Sequence, residues 1–381
     1  MPSRRSILTS ATALTALTIA APTTAWADEP LPVVATFSIL GDMVAEIGGE
    51  HIALTTLVGS DGDAHVYQPT PQDARAVSEA AVLFMNGLEF EGWLERLVEA
   101  ASFGGELVVA TNGIEPIEFG EDDDHHDDHD EHGDDEHDHD DHDDHGDDKD
   151  HDHDDHDHDD HGEDKDHDHD EHGHDEAKDD DHDHDEHDHD EDKDHDHGGH
   201  AGHEHGEFDP HAWQSLDAAI IYADNIAAGL AKVDPDNAGD YYANRATYVQ
   251  KIEALEEEIH ALMDGIPLDR RTVVTTHDAF GYFAGEYGIT FEAPQGLSTE
   301  SEASAADVAK LIEQIREEGI SAVFVESIAD NRLLEQIASE TDARIGGTLY
   351  SDALSGPDGL AATYIDMMRH NATTLADALT D

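Results

Sequence analysis

Hydrophobic and polar positions follow two alternating rhythms along this chain. Val33-Val34-Ala35-Thr36-Phe37 is apolar on both faces and reads as a buried strand, after which Ser38 caps a helix that runs to the Gly48-Gly49 stop. Residues 52–58, 81–85 and 107–110 repeat the strand pattern, and residues 72–79 and 90–100 carry helical spacing. Alternation of this kind predicts parallel α/β layers. The pattern breaks near residue 120 and resumes after residue 207.

Residues 216–232 then form one amphipathic helix, and Asp234-Pro235 opens a second that reaches Gly265. Tyr241, Tyr248, Ile252, Leu255, Ile259 and Leu262, spaced 7, 4, 3, 4 and 3, keep one apolar face over about 30 residues. A helix that long is suited to bridging two lobes. The alternation returns with strands at 272–276, 289–292 and 322–325 and helices at 279–287, 303–317, 332–340 and 359–375. Ala322-Val323-Phe324-Val325 is apolar on both sides, which fits a sheet covered by helices on both faces.

Composition explains the break. Of 32 histidines, 26 lie between Gly120 and Phe208, in runs such as His151-Asp152-His153-Asp154-Asp155-His156. A segment this polar buries too little apolar surface to offset the entropy of ordering, so it is expected to be disordered without a ligand. An acidic run alone reads as a solvated spacer. Imidazoles every second or third residue make weak, multi-site capture of a divalent transition metal the better reading.

The formal net charge is −76; residues 121–206 hold 46 acidic and 4 basic residues, so −34 remains on the other 295. No basic stripe is left to meet phosphates, which excludes nucleic acid as a partner. Met1-Pro2-Ser3-Arg4-Arg5-Ser6-Ile7-Leu8, a mildly apolar stretch to Ala21 and the ending Ala25-Trp26-Ala27 read as an export signal cut after Ala27. Twin-arginine and general secretory export fit it equally. Cysteine is absent, which leaves neither disulfides nor a lipid anchor, and a free periplasmic protein is expected.

Six histidines remain outside the insert. Three stand where a strand ends or a helix begins: His65 in Asp63-Ala64-His65-Val66-Tyr67, His211 in Asp209-Pro210-His211-Ala212-Trp213, and His277 in Thr276-His277-Asp278-Ala279-Phe280. Ligands of open α/β sheets bind beyond the carboxyl ends of strands. Each histidine alone is readily explained as structural; three at strand ends from both halves of the chain suggest one site. Asp352, in Leu349-Tyr350-Ser351-Asp352-Ala353-Leu354, follows another strand-like segment and is either a turn cap or a fourth ligand. Three imidazoles and a carboxylate make a closed shell of the type that suits zinc. His51, His260 and His370 fall on a strand start or on helices and are left out.

Together these motifs resemble the metal-binding proteins of cluster A-I ABC importers, the ZnuA-like and TroA-like group. The marks are His65-x-Tyr67-x-Pro69-Thr70-Pro71, Asp209-x-His211-x-Trp213, Thr276-His277-Asp278-Ala279-Phe280-Gly281-Tyr282-Phe283, Asn331-Arg332-Leu333-Leu334-Glu335-Gln336-Ile337-Ala338 and Leu349-Tyr350-Ser351-Asp352-Ala353-Leu354. The last of these, extended through Ser355-Gly356-Pro357, is most similar to the AztC-like zinc branch. The resemblance implies an α/β fold of two lobes, each with a mostly parallel sheet flanked by helices, joined by one long helix with the metal in the cleft between. It implies His65 and His211 as ligands from the first lobe and His277 and Asp352 from the second. Manganese-selective relatives usually carry glutamate in place of His277.

The expected organisation is a signal peptide (1–27), an N-terminal lobe (28–119 and 208–233) interrupted by the insert (120–207), a linking helix (234–265) and a C-terminal lobe (266–381). The expected function is that of a periplasmic receptor that captures Zn²⁺ as transported ligand and delivers it to an ABC importer. Further weak Zn²⁺ sites are expected in the insert. Its partners would be a separate permease with its ATPase and a periplasmic zinc chaperone, and the receptor itself would be a monomer. No enzyme is expected, because a closed four-ligand shell leaves no position for an activated water. A manganese or iron receptor of the same importer class, and a secreted metal buffer working through its insert, are the alternatives.

Overall fold

The computed structural model describes residues 29–118 and 208–380; the signal segment and the acidic insert lie outside the described residues. Strands β1 (Leu31–Phe37), β2 (Ile52–Val58), β3 (Val82–Met85) and β4 (Glu106–Val109) form a sheet in the order β2-β1-β3-β4. Strands β5 (Thr272–Val274), β6 (Thr290–Glu292), β7 (Ala322–Glu326) and β8 (Arg344–Leu349) form a second, in the order β6-β5-β7-β8. Every pairing in both sheets is parallel. Residues 33–37 of β1 and all of β7 are buried, as strands covered on both faces must be.

In the first lobe α1 (Ser38–Gly48) and α4 (Leu216–Val233) pack on one another and on the sheet, while α2 (Pro71–Glu79) pairs with α3 (Leu94–Ala101) and touches β1. Thr70 caps α2 with a reciprocal capping box: its side chain accepts from the backbone of Gln72 and Asp73, and Asp73 accepts from the Thr70 N–H. The second lobe carries α6 (Gly281–Tyr287), α7 (Ala305–Glu318), α8 (Arg332–Glu340) and α9 (Tyr364–Thr380). Between the lobes runs α5 (Ala238–Asp264), whose 27 residues span about 40 Å. It packs on α1 and α4 of the first lobe and on α9 of the second. Tyr241, Tyr248, Ile252, Leu255 and Ile259 of the expected stripe are all buried.

One apolar core runs through both lobes, from Phe37, Phe84 and Trp213 to Phe283, Leu354 and Tyr364. A smaller cluster seats α7 and α8 on β7. Among the described residues no helix is long and apolar enough to cross a membrane.

Helix starts differ from the sequence expectation for identifiable reasons. Ser38 does not cap α1; its hydroxyl accepts the N–H of Leu354 in the other lobe at 2.9 Å. The helix expected from Phe90 begins at Leu94, because Gly87, Leu88 and Glu89 sit at positive φ and the Glu91 carboxylate turns inward. The long helix begins at Ala238 rather than Asp234. There the Asp234 carboxylate accepts from Asn237 and Tyr241, a local bond that competes with helix formation. The last helix starts at Tyr364, where the Asp42 carboxylate receives the backbone N–H at 2.9 Å.

Candidate metal centre

His65, His211, His277 and Asp352 come together, their ligand atoms all within 4.8 Å of one another. His65 arrives on the loop after β2, His211 ahead of α4, His277 after β5, and Asp352 after β8. Of the remaining histidines outside the insert, His51 pairs with Asp240 near the surface, His260 lies on the exposed side of α5, and His370 contacts the Thr348 carbonyl. The structure keeps all three away from the cluster.

The spacing within the cluster is informative. Asp352 Oδ2 lies 3.2 Å from His65 Nε2 and 3.2 Å from His277 Nε2, Asp352 Oδ1 lies 3.6 Å from His211 Nε2, and the His65 and His211 Nε2 atoms are 3.4 Å apart. A tetrahedral ion with bonds of roughly 2.0–2.1 Å separates neighbouring ligand atoms by about 3.4 Å. Both carboxylate oxygens of Asp352 and Nε2 of His277 are buried without an in-line hydrogen-bond partner among the described residues. Buried polar atoms are almost always satisfied, so orphans converging on one point call for a cation.

Carboxylates behind two of the rings orient them. Asp209 Oδ1 accepts from His211 Nδ1 at 2.8 Å and from the His211 backbone N–H at 2.9 Å. A carboxylate can accept but not donate, so Nδ1 carries the proton and Nε2 presents its lone pair to the centre. Glu326, the last residue of β7, does the same for His277. Its Oε1 accepts from the backbone N–H groups of Thr276 and His277 at 2.8 and 2.9 Å, and Oε2 lies 2.7 Å from His277 Nδ1. That last contact is short but bent, so its electrostatic part outweighs its hydrogen-bond part.

Burial opposes charge on His277, yet the Glu326 and Asp352 carboxylates overcome it and hold the imidazole pKa well above its ordinary value. Burial likewise works against the Asp352 anion, and the imidazoles of His277 and His211 reverse that, keeping its carboxyl well below the usual range. The side chains of the cluster are thus organised by opposite charges of their own. Beneath it Phe90 packs edge-on to His65, and Phe37, Phe90 and Trp213 form an aromatic base with ring centres 4.8–4.9 Å apart.

Asp209 and Glu326 were not singled out from sequence. Glu326 had a readable signal, a carboxylate ending a strand otherwise wholly apolar, Ala322-Val323-Phe324-Val325. Asp209 stands inside the Asp209-x-His211-x-Trp213 motif, but its role shows only once the ring of His211 is placed.

A family model described as zinc-uptake complex component A, periplasmic, matches residues 33–378. The chain belongs to this family. It is a family of metal-binding receptors that serve ABC importers, working with a permease and an ATPase, and not of enzymes. Manganese-binding lipoprotein MntA of Halalkalibacterium halodurans is 27% identical over 351 residues, covering 92% of this chain and 89% of the relative. The manganese-bound periplasmic metal-binding protein of Candidatus Liberibacter asiaticus superposes with a TM-score of 0.65 at 26% identity, over 92% of this chain and all of that one. Periplasmic zinc-binding protein TroA of Treponema pallidum shares the fold, with a TM-score of 0.66 at 23% identity over 93% of this chain and all of that one.

Proposed function

We propose that this receptor carries zinc, with His65, His211, His277 and Asp352 as its four ligands. The observation that carries the reading is His277: an imidazole at the third position makes the shell three nitrogens and one carboxylate, with edges of 3.2–3.6 Å suited to a small tetrahedral ion. A manganese site favours more oxygen donors. The names of MntA and of the manganese-bound neighbour support the second reading, a manganese receptor of the same importer class. Competition titration decides between them. Zinc should displace manganese from the wild-type protein at a single tight site, and His277→Glu should shift preference toward manganese by exchanging an imidazole for a harder oxygen donor. An unchanged preference in that variant would remove the argument from ligand type.

The same reading places the protein in the AztC-like branch and in the periplasm, as a monomer released from its signal after Ala27, supplying a separate permease and exchanging zinc with a periplasmic chaperone. Residues 120–207 add weak zinc sites, since 26 imidazoles interleaved with carboxylates offer many donor atoms. Deleting residues 121–206 separates a receptor from a buffer within the same titration: the receptor keeps its one tight ion, whereas a buffer loses all tight binding.

A further inference from the structure

The four side chains of the cluster are not held alike. His211 and His277 each have a carboxylate at Nδ1, and the carbonyl of Ser351, next to Asp352, takes hydrogen bonds from Trp213 Nε1 and Gln214 Nε2, both at 2.8 Å. His65 differs. It is 7% exposed where the other three are 0%, and it alone of the four lines the open cleft of about 1060 Å³ between Tyr67, Phe90, Trp93 and Ser298.

What places His65 is Asp63. One oxygen, Oδ1, accepts the backbone N–H of His65 at 2.9 Å, while Oδ2 accepts from the hydroxyl of Thr299 at 2.7 Å. Thr299 belongs to the second lobe, on a segment tied directly to the opposing ligand. The Asp278 N–H donates to the Gly296 carbonyl at 3.2 Å, and His277 pairs with Gln295 in an isolated parallel bridge. The loop on either side is pinned to different lobes: the Asp61 N–H donates to the Leu354 carbonyl of the second lobe at 2.8 Å, and Trp93 Nε1 donates to the Ala64 carbonyl within the first at 2.7 Å. Between those pins, one carboxylate reaches both the ligand's own backbone and the opposite lobe.

We propose that Asp63 is a latch, a positioning residue whose bond to Thr299 couples closure of the cleft to the place of His65 and so sets how long the metal stays. The inference rests on His65 being a ligand. With the latch shut, His65 completes the four-ligand shell. With the Thr299 bond broken, Asp61 stays bonded to Leu354 of the second lobe, but Ala64 stays bonded to Trp93 of the first, so residues 63–65 follow the first lobe and His65 is the ligand that withdraws. His211, His277 and Asp352 then hold the ion with one position open toward the cleft, the geometry an incoming donor needs.

Stopped-flow release of zinc from the loaded full-length protein into excess chelator, paired with calorimetric titration of the tight site, tests this. Thr299→Val, which removes the hydroxyl at nearly constant volume, should release zinc about tenfold faster or more, the scale of one hydrogen bond to a charged group. Its association rate should stay within about twofold of wild type, since affinity differences among variants of one site lie mostly in release. Thr299→Ser should restore slow release, and Asp63→Ala, which also frees the His65 N–H, should be faster than Thr299→Val. A tight site in Thr299→Val whose release rate matches wild type overturns the latch, as does a variant that lowers the melting temperature of empty and loaded protein alike without changing release. Undiminished tight binding in His65→Ala sinks instead the ligand assignment on which the latch depends.

Discussion

The two lobes repeat one topology and use it differently. Each sheet runs second-first-third-fourth strand, so each has a crevice where the strand order reverses, between β1 and β3 in one lobe and between β5 and β7 in the other. In the first lobe that crevice is closed by a polar knot. Thr36 donates to Glu91 Oε1 at 2.6 Å, and the same carboxylate accepts from the N–H groups of Asn86 at 2.7 Å and Gly87 at 3.3 Å. In the second lobe the corresponding place holds His277 and Glu326, with the imidazole Nε2 turned out toward Asp352. A buried glutamate anchors backbone N–H groups in both. Only where its neighbour is an imidazole rather than a hydroxyl does the crevice offer a nitrogen donor to the cluster. The first lobe brings its own members of the cluster, His65 and His211, on loops around the knot, and His65 is the more exposed of the two.

If the second lobe supplies the charge that holds the cation, Asp352→Ala should have the largest effect. It leaves three imidazoles around a buried ion with no counter-charge. Truncating one partner of a buried charge pair costs about 2–5 kcal/mol, a loss of about 30- to 4000-fold in zinc affinity. A competition titration giving less than a tenfold loss would mean that the compensating charge lies elsewhere.

The two glutamates provide the next test. Glu326→Gln should weaken zinc binding by about 10–100-fold, because it loosens the ring orientation and lowers the basicity of His277. Glu91→Gln should leave zinc affinity at the wild-type value and instead lower the free energy of unfolding by about 1–3 kcal/mol, since one amide oxygen cannot replace all the acceptors of the carboxylate. Affinity and denaturation measured on both variants break the comparison if the two behave alike.

The smallest effect concerns a carboxylate shared by the lobes. Asp42 on α1 receives the Tyr364 N–H at the start of α9; burial, with help from Glu46 and Asp366, pushes its pKa up to about 6 against the opposing effects of that hydrogen bond and Lys251. A raised folded pKa means its contribution is fully present below the unfolded value near 3.8 and is lost as pH rises through about 6. Asp42→Asn, neutral at every pH and still able to accept from Tyr364, should be more stable than wild type at pH 7 by about 1–2 kcal/mol after discounting for partial exposure. The advantage should vanish near pH 4. Denaturant unfolding at the two pH values checks the sign.

Much of this architecture can be read from residues alone, and what escapes does so for physical reasons. Strands buried on both faces announce themselves, as Val33–Phe37 and Ala322–Val325 do, because nothing polar interrupts them. The four side chains of the cluster are legible from their places, His65, His277 and Asp352 beyond strand ends and His211 just ahead of a helix. Helix starts are less so, since the groups that begin α1 and α9 find partners more than 300 residues away, Ser38 with Leu354 and Asp42 with Tyr364. Asp63 looks like an ordinary surface carboxylate in one dimension, while Asp209 and Glu326 carry partial signals, a place in a motif and the end of an apolar strand. Their roles come from partners that the folded chain supplies, the Thr299 hydroxyl for Asp63, the placed ring of His211 for Asp209 and the His277 backbone for Glu326.

The chain leaves the first lobe at Glu118 and returns at Phe208, and these two residues face each other in an antiparallel bridge, with the Asp209 N–H bonded to the Ile117 carbonyl at 2.9 Å. The 89 residues between, 119–207, therefore join two points already fixed side by side. Closing a chain between fixed ends grows less favourable only with the logarithm of its length, about 0.6 kcal/mol for each doubling. Mutational gain or loss of repeats here is nearly neutral for the fold. The number of imidazoles can therefore change from one variant of the chain to another with little penalty in stability, which makes length an adjustable dose.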